Sequence, residues 1–144
     1  MALRFLGDFG KLKRIGTWIG KASAKRLLGD LAHDLAIEGQ RLVAEEFATG
    51  TDPSGKPWKR AKDNKAGRRM FRTGALAGSW SNTYTYKAAI VQSSSAYAGP
   101  LNFGTRSIKA RRQIPGARLP SKWATALTVA FMRRLQRFQD SRPR

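Results

Sequence analysis

The chain has 144 residues, 41% of them hydrophobic, and its 28 lysines and arginines against 9 acids give a formal charge of +19. This length and apolar content suit a single domain over residues 1–144 with a core of its own. There is no cysteine, which excludes disulfides, thiolate chemistry and cysteine-based zinc sites, and no apolar run approaches the roughly 18–20 residues of a membrane span.

The charge is unevenly spread. Residues 1–53 hold 8 basic and 7 acidic side chains, whereas residues 54–144 hold 20 basic and 2 acidic. Such asymmetry points to contact with nucleic acid or with an acidic protein surface, because many like charges weaken a fold that nothing neutralises.

In chain order, Leu3-Arg4-Phe5-Leu6 predicts a short strand and Asp8 an N-cap for a helical turn. Gly10, Gly16 and Gly20 interrupt residues 9–20, and with the nearby lysines they break the basic N-terminus before a signal-peptide apolar region forms. From about Lys21, residues Ala24, Leu27, Leu28, Leu31, Leu35, Leu42, Val43 and Phe47 recur at helical steps, and Gly50 stands where a C′ glycine ends a helix. Asp52-Pro53-Ser54-Gly55 fits a type I turn that drops Trp58 onto whatever lies beneath it. Residues 51–72 otherwise read as a long basic loop.

Thr73 is placed to cap a single helical turn containing Leu76. Residues 79–93 alternate, with Trp80, Tyr84 and Tyr86 on one face and Ser81, Thr83 and Thr85 on the other. They predict a hairpin that turns near Lys87-Ala88 and returns through Ala89-Ile90-Val91. Residues 99–120 contain Gly99, Pro100, Gly104, Pro115, Gly116 and Pro120, too many breakers for a helix, and predict a second long basic loop or arm. Tyr97 and Phe103 flank its glycines and are candidate anchors. Ser121 is the expected cap of a final helix whose Ala124, Leu127, Phe131, Leu135 and Phe138 face inward, with Trp80 and Trp123 as core aromatics. Residues 141–144 read as a disordered tail. The fold class is α+β: a small antiparallel sheet packed by a long N-terminal helix and a C-terminal helix.

Catalytic patterns are lacking. Asp30, Asp34 and Glu38 share one helix face and have oxygens for a divalent cation, as in a metal-dependent nuclease. Among residues 54–144, however, only Asp63 and Asp140 could help complete such a site, and a solvated or salt-bridging stripe is the better reading. His33 has no nucleophile paired with it by spacing, and Ser93-Ser94-Ser95 lacks the glycines of a nucleophile elbow. The glycines match no phosphate-binding or dinucleotide fingerprint. No enzyme activity and no cofactor are therefore assigned. The interleaving of Trp58, Trp80, Tyr84, Tyr86, Tyr97 and Phe103 with cations is how nucleic-acid platforms look, and also how a small aromatic core looks.

Five pieces stand in a fixed order: Phe47 to Trp58, Thr73-Gly74-Ala75-Leu76, Ser94-Ser95-Ala96-Tyr97-Ala98, Asn102-Phe103-Gly104-Thr105 and Ile114-Pro115-Gly116-Ala117-Arg118. Together they resemble the phage virion morphogenesis family, the tail-completion proteins of Mu-like phages. They are also similar to the tail-completion and neck proteins of HK97-type siphophages. The resemblance covers roughly residues 3 to 135. It departs at Arg72, where the family usually carries an acid, and at Pro115 to Pro120, a loose version of a proline-arginine-proline-aromatic stretch.

The resemblance implies a virion protein assembled in the host cytoplasm and working at the head–tail junction. It implies a homo-oligomeric ring, six- or twelve-fold, touching portal, adaptor and tail-terminator or tail-tube proteins, with no membrane partner. Packaged double-stranded DNA and acidic faces of neighbouring rings are both candidates for neutralising the charge. Arg68, Arg69 and Arg72 in one loop, and Arg106, Lys109, Arg111, Arg112 and Arg118 in the other, are the candidate partner or DNA contacts. Both loops are expected to order on assembly. Asp30, Asp34 and Glu38 are candidate subunit-interface residues, meeting the cationic part of the next protomer in a heterologous contact. The rival reading is a basic double-stranded DNA-binding protein.

Overall fold

The computed structural model describes residues 2–5, 21–58 and 74–141. The Asp8 cap, the breaks at residues 9–20, the loop from residue 59 to Thr73 and the tail beyond residue 141 lie outside the described residues. Helix α1 spans Lys21–Thr49. It ends as its sequence dictates: Gly50 takes a left-handed φ of 68°, and the amides of Gly50 and Thr51 both return to the Glu46 carbonyl at 2.8 and 3.1 Å. The turn that follows is held by Asp52. Its carboxylate accepts from the amides of Ser54 and Lys56 at 2.9 Å, and its carbonyl accepts from Gly55 at 2.8 Å. The Trp58 amide then donates to the Gly50 carbonyl at 2.9 Å, and its ring packs edge-on against Phe47 at 5.2 Å.

Strands β1 (Ala2–Phe5), β2 (Trp80–Thr85) and β3 (Ala88–Ser93) form an antiparallel sheet in the order β1-β3-β2. Thr85 pairs with Ala88, so Tyr86 and Lys87 make the hairpin turn. The turn thus falls one residue earlier than the alternation suggested, and Tyr86 leaves the strand face. The Lys25 and Lys87 ammonium groups lie 5.0 and 5.2 Å from its ring. With side chains alternating every second residue, Trp80, Asn82 and Tyr84 share a face with their partners Ser93, Val91 and Ala89. Helix α1 lies over that face. Gln40 donates to the Trp80 carbonyl at 2.9 Å and accepts from Asn82, and His33 meets Tyr84 edge-to-face at 4.7 Å. Ser81, Thr83 and Thr85 are exposed on the opposite face.

The short helix α2 (Ala75–Gly78) precedes β2, and its N-cap position is Gly74, at φ 73° and without a side-chain bond. A left-handed φ there favours glycine over threonine. Helix α3 (Ala98–Phe103) occupies a stretch the breakers marked as loop. Pro100 is its third residue, within the first turn, where a missing N–H costs nothing. Helix α4 (Ser121–Asp140) starts at Ser121 rather than after it, with Pro120 extended at the N-cap and its carbonyl accepting from Ala124 at 2.9 Å.

Leu42, Val43 and Phe47 of α1 form one core cluster with Trp58, Trp80, Val91, Ala98, Ile114, Trp123 and Leu127. Helix α4 also pairs with α1 through Arg134, whose guanidinium donates two hydrogen bonds of 2.7 Å to the Asp34 carboxylate. That bond holds Asp34 below the usual carboxylate range and raises Arg134. Removing Arg134 from this half-buried pair is expected to cost roughly 1.5–3 kcal/mol, measured as the loss in urea unfolding free energy of Arg134→Ala.

One core position carries a carboxyl group. Glu46 is fully buried; Trp123 Nε1 donates to its Oε1 at 2.6 Å, while Oε2 has no hydrogen-bond partner. Desolvation pushes the group up to about 8 from 4.5. The folded chain therefore keeps a proton that the unfolded chain releases above about pH 4.5, so stability falls as pH rises from about 4.5 to about 8. Denaturant midpoints measured across that interval should decline for the native sequence, and Glu46→Gln, which keeps the acceptor without the charge, should level the profile.

Candidate interaction surface

Gly104 ends α3 at φ 79°, and a Cβ there would lie 3.0 Å from the Ala110 amide nitrogen and 3.1 Å from the Ile108 carbonyl. The chain can fold back so closely only on glycine. Thr105 closes the return. Its amide donates to the Ile108 carbonyl at 2.8 Å, and its hydroxyl accepts from the amides of Ser107 and Ile108 at 3.3 and 3.0 Å.

The far side of the loop is pinned at successive residues. The Arg111 amide donates to the Leu101 carbonyl at 2.7 Å, and Trp58 Nε1 donates to the Arg112 carbonyl at 2.8 Å. The amides of Gln113 and Ile114 both donate to Asn102 Oδ1, at 2.8 and 3.2 Å. Asn102, Gln113, Ile114 and Pro115 are buried. The anticipated ordering on assembly is thus not needed for residues 104–115, because buried backbone amides here find partners within the chain. The anchors are Asn102 and Trp58, not the two flanking aromatics: Tyr97 and Phe103 are 72% and 73% exposed. Asn102 opens one of the five ordered motifs, which does not by itself mark it as an anchor; an asparagine among breakers is the residue type that binds nearby backbone amides.

Of the candidate contact residues, Arg106, Lys109, Arg112 and Arg118 are exposed on this pinned segment, and Arg111 is half-buried. Arg68, Arg69 and Arg72 lie outside the described residues. Among the described residues, the acidic side chains Asp30, Asp34, Glu38 and Glu45 of α1 are held by cations of α1 and α4. Arg41 holds Glu38 and Glu45 at 2.7 and 3.0 Å, Lys122 holds Glu45 at 2.9 Å, and Arg134 holds Asp34 at 2.7 Å with Asp30 at 3.8 Å. The Lys122 hydrogen bond draws Glu45 below its usual range. The acidic stripe offered to a neighbouring protomer is therefore engaged within its own chain, since α4 and Arg41 bring cations onto the same face. Among the described residues no group of metal-ligating side chains is placed to hold an ion, and no helix is long and apolar enough to cross a membrane. A comparison with protein-family models gave no match, and neither curated proteins nor solved structures gave one.

If Asn102 fixes the loop, Asn102→Ala orphans two amides and should lower stability by about 1–3 kcal/mol. It should also speed tryptic cleavage after Arg106 and Lys109 in native buffer; unchanged cleavage would show that the loop is held by other means.

Proposed function

We propose that this chain is a structural virion protein of a tailed phage, acting at the head–tail junction as a tail-completion or neck component that forms a ring joining or capping tail and portal-adaptor complex. It acts by geometry and charge, without catalysis or cofactor. The reading rests on the resemblance of its ordered motifs to the tail-completion family. The observation that carries it furthest is how those motifs meet. Asn102 of one motif accepts from Ile114 of the next, and Trp58, at the end of the first, donates to the backbone of the segment between them. The motifs thus supply joints rather than reactive groups, and what they hold out is a cationic loop.

The same reading gives the uncovered apolar side chains a use. Tyr97 and Phe103 stand at the two ends of α3, and Val129 and Met132 lie one turn apart on the outer side of α4, 49% and 57% exposed. Aromatic residues, methionine and arginine are enriched where protein surfaces meet. Native mass spectrometry of the purified chain should show a closed ring, six- or twelve-fold. The double substitution Tyr97→Ser and Phe103→Ser should shift it to monomer without changing the unfolding midpoint. A native chain that remains monomeric at every concentration and salt level would remove the ring from the proposal.

A further inference from the structure

We infer that the segment from Gly104 to Arg118 is a binding ridge for the phosphate backbone of duplex DNA, independent of sequence. The inference rests on the junction reading in naming the partner of its cationic loop, and is tested apart from it.

Charge within the chain is the first reason. Asp30, Asp34, Glu38 and Glu45 all lie within reach of Arg41, Lys122 or Arg134, and Asp52 is occupied by backbone amides. Among the described residues no carboxylate pairs with Arg106, Lys109, Arg112 or Arg118. The ion-paired carboxylates of α1 would be engaged in the same way in a second copy of the chain, which favours an anion from another molecule as the partner of this ridge.

The character of the ridge decides between DNA and an acidic protein. Between Gly104 and Arg118 the exposed side chains are Thr105, Arg106, Ser107, Lys109, Ala110, Arg112, Ala117 and Arg118, with Gly116 among them. Large apolar groups are absent from that set; exposed ones stand just outside its two ends, at Phe103 before it and Leu119 after it, while Ile108 is half-buried and Ile114 is in the core. Protein interfaces build their centres from aromatic and apolar residues and are depleted in lysine. Surfaces that bind DNA are polar and strongly positive, and their arginines, lysines and small hydroxyl residues contact phosphates. The ridge has that second composition.

Preorganisation is the third reason. The Trp58, Leu101 and Asn102 bonds hold the backbone at residues 111–114, and Thr105 with Gly104 holds the start. Cations on a fixed backbone meet a regular array of phosphates with less ordering cost than cations on a free loop.

The test is fluorescence anisotropy of the full chain with a labelled random-sequence duplex of about 20 base pairs, over roughly 50–200 mM salt. Each phosphate contact adds about 0.9 to the slope of log affinity against log salt. Replacing Arg106, Lys109, Arg112 and Arg118 by glutamine should therefore reduce the slope by about 3–4, equally for duplexes of unrelated sequence. A control variant replaces Lys25, Arg26, Arg133 and Arg137, which are exposed elsewhere, and lowers the charge of +19 by the same four. The control should lose distinctly less.

Equal losses in the two variants would overturn the ridge in favour of diffuse attraction. A native chain that leaves the duplex free at the lowest salt, or that polyglutamate of matched charge displaces from it at equal concentration, would overturn DNA as its partner. Native mass spectra of the same samples report the ring separately, so a chain that binds DNA as a monomer loses the assembly reading and keeps this one.

Discussion

The C-terminal half of α1 is the surface on which the other elements are fixed, and tryptophans do most of the fixing. Trp58 arrives from the turn that ends α1, Trp80 from the first residue of β2 and Trp123 from the first turn of α4, and all three enter the cluster around Leu42, Val43 and Phe47. Rings of this size bury large areas but carry a polar N–H that needs a partner in a dry interior. Trp58 satisfies its own on the backbone of the cationic loop, and Trp123 on a carboxyl group of α1. The indole of Trp80 is buried without one. Two of the three polar tips therefore set tertiary geometry, one placing the loop and the other fixing α4 on α1.

Much of this was legible because local chemistry and tertiary packing agree. The spacing from Leu27 to Phe47, the glycine at position 50, the Asp52 turn and the alternation from Trp80 to Thr85 each admit few backbone solutions, and the fold uses them. The sheet order, with β3 between β1 and β2, needed the tertiary structure. Where the reading departed from the structure, a residue was taken by its usual habit rather than its position. Pro100 signalled a break, yet in a first turn it is harmless. Thr73 and Ser121 are good caps by composition, but Gly74 and Pro120 hold those positions through backbone conformation.

The candidate surface divides in the same way. Its exposed cations were visible in the sequence, because charge is a property of composition. The ties that make them a fixed array were not, because they run from side chains to backbone amides far along the chain: Trp58 to Arg112 and Asn102 to Ile114. Asp34 shows the converse. Its carboxylate looked available on a helix face until α4, a hundred residues on, placed Arg134 against it. Glu46 was also hidden, although its spacing from Leu42 and Val43 puts it on the inward face; only the expectation that a carboxylate avoids the core argued otherwise.

That buried carboxyl makes the proton a reactant in folding. Across the interval between its unfolded and folded affinities, the chain takes up to one proton from the medium each time it folds and returns it each time it unfolds. The heat of unfolding near neutrality therefore includes the ionisation heat of whichever buffer receives that proton. Two calorimeters filled with different buffers at one pH would record different enthalpies for the same change of structure.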